Sequence, residues 1–246
     1  MADKGRDSAR ERQNEMIYEL RQYLVDRGRT GHNHLRMTGE LPALLARHGV
    51  HVAGRWDALA GPRWPMFCYI MEWESYAARD AAWGAFYADP DWARIRSETN
   101  AGHEMIQENQ LQFIAPNPAL CPDGPSFTGP DSIHQLVVHK TAIGRTGEVN
   151  RFLAETYLPQ VQQAGAGVMG VCDVISGPAM PAVVMFLNWE NPSAWRKGWR
   201  DFTLNPVMIG AYEAQRAANG ATLLDRGEVI VMETLDGLPP QPKLRF

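Results

Sequence analysis

Three polar residues near the start of the chain, Glu19, Arg21 and Tyr23, alternate with the residues between them. Successive side chains of a β-strand point to opposite faces, so this spacing places all three on one face of a strand predicted over Ile17 to Val25. A guanidinium can hold an anionic or carbonyl oxygen, a carboxylate can move a proton, and a phenol can donate a hydrogen bond. The set predicts an acid/base site or, as the alternative, an internal ion pair that fixes the packing of the sheet.

The chain also repeats itself at a constant offset of 116 residues. The segment Gly28-Arg29-Thr30-Gly31 recurs as Gly144-Arg145-Thr146-Gly147. Chance identities scatter over common residues, whereas these concentrate on glycine, proline and tryptophan, so we infer a tandem duplication. Other matched pairs are Gly54/Gly170, Trp73/Trp189, Trp83/Trp199 and Pro90/Pro206.

Each copy is predicted to run strand, helix, two strands, helices, strand, which is the βαββαβ order of the ferredoxin-like unit. We therefore predict an α+β fold of two tandem ferredoxin-like domains, 16–115 and 132–236. A proline-rich linker at 116–131 joins them, and an arm at 1–15 and a tail at 237–246 flank them.

The third strand of each copy, Met66 to Met71 and Val183 to Leu187, is apolar on both alternating faces. Both faces of each sheet must then be buried. Helices cover one face, so the uncovered faces of the two sheets must pack against each other. Such packing makes an α/β barrel with a lumen, which in a duplicated chain closes within one molecule.

Composition excludes several classes of function. The net charge of the 246 residues is only -4, so we expect no nucleic-acid partner. We expect no membrane span and no signal peptide, because there is no long apolar run. Three cysteines without a CxxC pair argue against disulfides and a zinc site and favour the cytoplasm. Motifs of metalloproteases, serine hydrolases and nucleotide-binding proteins are absent from the sequence.

The opening Tyr18-Glu19-Leu20-Arg21-Gln22-Tyr23-Leu24 resembles the YELRxYxL pattern of NIPSNAP-domain proteins. The resemblance continues in Gly54-Arg55-Trp56, Glu72-Trp73-Glu74-Ser75 and Asp89-Pro90-Asp91-Trp92, and it covers most of the first copy. In the second copy, Ile133 to His139 lacks the Glu-x-Arg-x-Tyr pattern. The resemblance implies the dimeric α/β barrel fold, but the family has no single agreed chemistry.

If the leucine side of the first strand packs on the helices, Glu19, Arg21 and Tyr23 face the lumen as catalytic residues. Their counterparts in the second copy cannot replace the two charges. We therefore predict one site in the first copy, with the second copy as its lid and apolar wall. The candidate substrate-binding residues are His51, Trp56, Trp64, Gln135, Val137 and His139.

These residues favour an enzyme that acts on a small, largely apolar organic molecule by isomerisation, elimination or hydrolysis, with no metal and no tightly bound cofactor. Two alternatives stay open. One is a non-catalytic small-molecule-binding or interaction protein, and the other is a haem-binding barrel with His139 as the axial ligand. A small-molecule ligand is the expected partner, and a homodimer is left open.

Overall fold

The computed structural model describes residues 16–127 and 132–235. Its strands, all paired antiparallel, close into one barrel. The strands are β1 (Ile17–Val25), β2 (His51–Ala60), β3 (Met66–Trp73), β4 (Ile106–Pro116), β5 (Ile133–Thr141), β6 (Gly167–Ser176), β7 (Ala182–Trp189) and β8 (Leu224–Thr234). Their order around the barrel is β1-β3-β2-β8-β5-β7-β6-β4. The first half of the chain, β1 to β4, thus joins the second half, β5 to β8, through the pairs β2–β8 and β4–β6.

Helices cover the outside of the barrel. In the first half they are α1 (Thr30–Thr38), α2 (Leu41–Arg47), α3 (Tyr76–Ala88) and α4 (Pro90–Asn100). In the second half they are α5 (Thr146–Phe152), a π-helical segment (Leu153–Tyr157), α6 (Leu158–Gln163), α7 (Pro192–Thr203) and α8 (Pro206–Asn219).

Local sequence sets several helix ends. The Oγ of Ser75 accepts a hydrogen bond from the amide of Ala78 at 3.1 Å, which caps α3. The single helix predicted between the first two strands of this half is split into α1 and α2, because the chain breaks at Gly39. The second piece has a proline in its first turn, where the missing N–H has no helical partner to lose.

Three apolar clusters hold the molecule together. One lies inside the barrel and draws buried residues from both halves, among them Leu20, Ile70, Leu136, Phe186 and Ile230. The other two lie between the sheet and the helices of each half. Since side chains of both halves fill the lumen, neither half buries that cluster alone.

The mixed α/β character of the prediction is confirmed by the closed antiparallel barrel and its covering helices. The predicted arm at 1–15, the tail at 237–246 and part of the linker lie outside the described residues. Among the residues that the structure does describe, no helix is long and apolar enough to cross a membrane.

Candidate small-molecule pocket in the first half

The polar face of β1 points away from the lumen, so the predicted orientation is wrong. Tyr18 and Leu20 belong to the lumen cluster. Glu19, Arg21 and Tyr23 lie on the opposite face, under the helices of the first half, because alternate residues of a strand face opposite sides. Both faces of β1 are largely buried, so burial alone could not reveal which one meets the helices.

The carboxylate of Glu19 is fully buried and accepts hydrogen bonds on both oxygens. Arg21 Nε donates to its Oε1 at 2.7 Å, and Trp73 Nε1 and Arg79 Nε donate to its Oε2 at 3.0 and 2.8 Å. Burial by itself would raise the pKa of Glu19, but the hydrogen bonds and charges of Arg79 and Arg21 lower it below its usual range. Glu19 is therefore an ionised anchor for Arg21 and a poor proton carrier, contrary to its predicted role.

The other side of the Arg21 guanidinium faces two phenols. Its Nη1 lies 3.2 Å from the Tyr23 hydroxyl and 3.4 Å from that of Tyr69, and the two hydroxyls are 2.6 Å apart. Burial favours the neutral form of Arg21, but the oxygens of Tyr69, Tyr23 and Glu19 raise its pKa. Burial and the neighbouring Tyr23 raise the pKa of Tyr69, which keeps that phenol protonated at neutral pH. The cluster thus combines a fixed cation with two linked hydroxyl groups.

These groups border a cavity of about 500 Å³ between the sheet and helices α1, α2, α3 and α4. Most of its wall is apolar or aromatic, and its polar groups include several hydrogen-bond donors. Such a combination is typical of sites that bind small organic molecules. The lining includes Arg21, Tyr23, Asn33, Arg36, Met37, Leu41, Leu45, Tyr69, Trp83, Phe86, Trp92, Arg96 and Glu104.

The corresponding space of the second half is filled. Val137 is fully buried in an apolar cluster with Phe152 and Tyr157. Gln135 Oε1 accepts from Trp189 Nε1 at 2.8 Å, just as Glu19 accepts from the equivalent tryptophan. The predicted lumen positions of Gln135, Val137 and His139 are therefore wrong. None of the three lines the first-half cavity, so the second copy is not its lid.

The remaining predicted binding residues are scattered. Trp56 does lie in the lumen, but it is packed there and donates from Nε1 to His134 Nδ1 at 2.7 Å. Trp64 is 63 % exposed. His51 is exposed and pairs with Glu72 at 2.6 Å. None of these three residues lines the cavity.

Several cavity residues were missed from the sequence. Tyr69 pairs with Arg21 across the β1–β3 ladder and is a polar side chain in an otherwise apolar strand, which is the signal that could have found it. Asn33 and Arg36 lie three residues apart on α1. The sequence does not show that these two polar side chains are buried, so they could not be singled out from it.

The surroundings of His139 do not fit a haem. Its Nε2 lies 3.1 Å from the Tyr157 hydroxyl, and its Nδ1 is so close to Gly227 that a β-carbon there would lie 2.5 Å away. Burial lowers the pKa of His139 to about 4, so the ring is neutral. No cluster of three potential metal ligands exists within 16–127 and 132–235.

Two solved structures are similar to this chain over most of their length. A putative monooxygenase from Lactobacillus acidophilus NCFM is 9 % identical, with a TM-score of 0.54 over 89 % of this chain and 94 % of that one. An anthrone oxidase-like protein is 15 % identical, with a TM-score of 0.53 over 90 % and 92 % of the two chains. At these identities the likeness shows the fold alone. No curated protein matches the sequence.

The first half can be assigned more narrowly. Residues 18–120 match the NIPSNAP family profile, which confirms the resemblance of the first-strand motif. The cavity with Arg21 and Tyr23 lies within this matched segment.

Proposed function

We propose that the chain is an enzyme that binds a small, largely apolar, oxygen-bearing molecule in the first-half cavity and converts it by acid/base chemistry without a tightly bound cofactor. The observation that carries the proposal is the Arg21 guanidinium beside the paired hydroxyls of Tyr23 and Tyr69, in a cavity with mainly apolar and aromatic walls. A fixed cation and linked hydroxyls suit a ligand oxygen that gains negative charge during reaction.

Isomerisation through an enolate uses these groups best. The carbonyl oxygen of the ligand lies against Tyr23 and Arg21, and the guanidinium stabilises the charge that develops on that oxygen. Solvent water takes the proton from the α-carbon and returns a proton to carbon, while the Tyr23–Tyr69 pair, whose hydroxyls share a 2.6 Å hydrogen bond, donates a hydrogen bond to the enolate oxygen. Glu19 touches no ligand in this scheme and acts by positioning Arg21, to which it is bonded at 2.7 Å.

The first compound to test is anthrone, an aromatic ketone that enolises, because one protein of similar fold is called anthrone oxidase-like. Enolisation is measured without oxygen as exchange of its methylene protons with D2O by NMR. We expect catalysed exchange by the wild type and a loss of about 10²- to 10³-fold in Arg21→Met, the size found when a group that stabilises an oxyanion is removed. Tyr23→Phe should slow exchange about 10²-fold or more.

The matched control is Arg94→Met. Arg94 is an arginine on α4 whose partners Glu40 and Glu98 are exposed, and its substitution removes the same charge without altering the cavity. It should leave the exchange rate unchanged. Full activity in folded Arg21→Met would disprove the assignment of this cluster.

One observation favours non-catalytic binding as the second candidate. Glu104, which lines the cavity, and Glu19, which lies behind Arg21, both accept hydrogen bonds from several donors, so neither is free to act as a base. Binding of ligands to the cavity with no exchange above the buffer rate would favour this candidate over the enzyme.

We also propose that each half is one ferredoxin-like domain, 16–115 and 132–236, joined at 116–131. The neighbour orders β4-β1-β3-β2 and β8-β5-β7-β6 support this division, because corresponding strands occupy corresponding places. Separately produced halves should then recover the circular dichroism of the intact chain only when they are mixed.

A further inference from the structure

A second arginine of the cavity, Arg36, is buried without a carboxylate partner. It is 6 % exposed, and its Nε donates to Thr99 Oγ1 at 2.8 Å. Its Nη2 donates to Asn100 Oδ1 at 2.6 Å and to the Arg96 carbonyl at 3.2 Å. All of these acceptors are neutral, so Arg36 differs from Arg21, whose charge is matched by Glu19.

The electrostatic surroundings of Arg36 compensate its charge only in part. Burial is the main reason that its pKa falls to about 10; Glu104 opposes this with the next largest effect, and the cations Arg96 and Arg29 lower the pKa further. Glu104 is itself paired with Arg96 at 2.5 Å. Arg36 is still charged at neutral pH, and a buried charge without a counter-ion is costly. An anion that entered the cavity would remove this cost.

Asn33 adds a second donor on the same helix face. It lies three residues before Arg36 on α1, lines the same cavity and is 1 % exposed. Its Nδ2 is buried and has no hydrogen-bond partner in the part of the chain that the structure describes. A buried amide without an acceptor is destabilising, so this group also fits an incoming oxygen.

The second half shows that the barrel does not need these two groups. At the offset of 116, Arg36 corresponds to Phe152 and Asn33 to Val149. Both replacements are buried in the apolar cluster that fills the second half. The polar pair therefore accompanies the open cavity and is lost where the cavity is filled.

We propose that Arg36 and Asn33 form a carboxylate subsite, so that the ligand of the cavity is an aromatic hydroxy- or keto-carboxylate. Its carboxylate binds at α1, and its other oxygen binds at Arg21 and Tyr23, which is the part that rests on the proposed function. The ring system lies among the aromatic walls, which include Trp92, 5.6 Å from the Arg36 guanidinium carbon. A planar guanidinium with a nearby amide can hold both oxygens of a carboxylate.

The test uses three probes with the same ring system: 6-hydroxy-2-naphthoate, its methyl ester and 2-naphthol. Dissociation constants are measured by calorimetry for the wild type, Arg36→Met, Asn33→Asp and the control Arg94→Met. We expect the wild type and the control to bind the carboxylate at least about tenfold more tightly than the ester, as a charge-assisted hydrogen bond provides. Arg36→Met and Asn33→Asp should abolish that preference, the latter by placing a negative charge beside Arg36.

An equal affinity of the wild type for acid and ester, or a preference that survives both substitutions, would overturn the subsite. Should Arg36→Met not fold, Asn33→Asp decides alone because it retains Arg36. The proposed contact of the second ligand oxygen with Arg21 is tested separately, by the affinity of Arg21→Met for 2-naphthol. If Arg21→Met binds 2-naphthol as tightly as the wild type does, while the preference for the carboxylate over its ester requires Arg36, the subsite stands and the proposed chemistry fails. If the wild type binds none of the probes, both fail.

Discussion

Substitution of Glu19 by glutamine should destabilise the fold more than any exposed charge change. Glu19 is fully buried and is the only carboxylate bonded to Arg21 among the described residues. Arg79, its other cationic partner, is 20 % exposed at its side chain and can turn toward water, whereas Arg21 cannot. Breaking a buried ion pair while leaving one charge behind costs about 3–5 kcal/mol. We expect about 3 kcal/mol, which lowers the melting temperature of a chain of this size by roughly 6–12 °C.

The assay is urea unfolding of a double-mutant cycle. Glu19→Gln with Arg21→Val reproduces the Gln135 and Val137 of the second half, so the double variant should lose less than the sum of the single variants. Glu108→Gln breaks the exposed pair with Arg63 and is the control, with an expected change under about 0.5 kcal/mol. A loss below about 1 kcal/mol for Glu19→Gln, or strict additivity, would refute the ion-pair reasoning.

The same residue gives a pH dependence. The pKa of Glu19 is lower in the folded state than in the unfolded chain, so its contribution is complete above the ordinary glutamate value of about 4.3. That contribution is lost as the pH falls through the lower folded-state pKa, because the unfolded state binds the proton first. Glu19→Gln should flatten the decline of stability in acid relative to the wild type.

Three further substitutions test residues that were predicted for the site but do not line the cavity. Val137→Ala should cost about 2 kcal/mol in urea unfolding by leaving a cavity among buried side chains, yet leave probe affinities unchanged; altered affinity would mean that the second half contacts the ligand. The pKa of His139 is lowered to about 4 in the folded state, so wild-type stability should fall as the pH drops from about 6.5 toward that value. His139→Gln should remove that slope, and an unchanged slope would exclude His139 as its source. Trp64→Ser should alter neither stability nor binding, since the side chain is 63 % exposed; calorimetry with 2-naphthol would reveal any contribution to binding.

Much of the fold follows from local sequence. Strand β1 has the predicted bounds, because its alternating β-formers end at the turn of Asp26 to Arg29. Asp89 and Asn205 cap helices that begin with proline, and each side chain accepts from the amide two residues later, at 2.9 and 2.8 Å. These signals depend on near neighbours, so they can be recognised without knowledge of the tertiary packing.

The location of the site was harder to predict because it depends on partners distant in sequence. The residues next to Glu19 in the sequence do not indicate that Arg79, sixty residues away on helix α3, donates two hydrogen bonds to it. A strand with both faces largely buried fits either orientation, and the choice is made only when the helices supply the matching donors. That the first copy carries the site stays a prediction; the cavity lies in that half, on the helix side of the sheet and not in the predicted lumen.

The union of both halves in one polypeptide has a consequence for how such a barrel can evolve. A barrel assembled from two identical chains carries every substitution twice, so a change that fills one cavity fills its twin as well. In a fused chain the two copies mutate independently. Phe152 can thus stand in the second half at the position that Arg36 holds in the first, while the packing of the second half still supports the shared barrel. One half of such a chain can change without altering the cavity of the other.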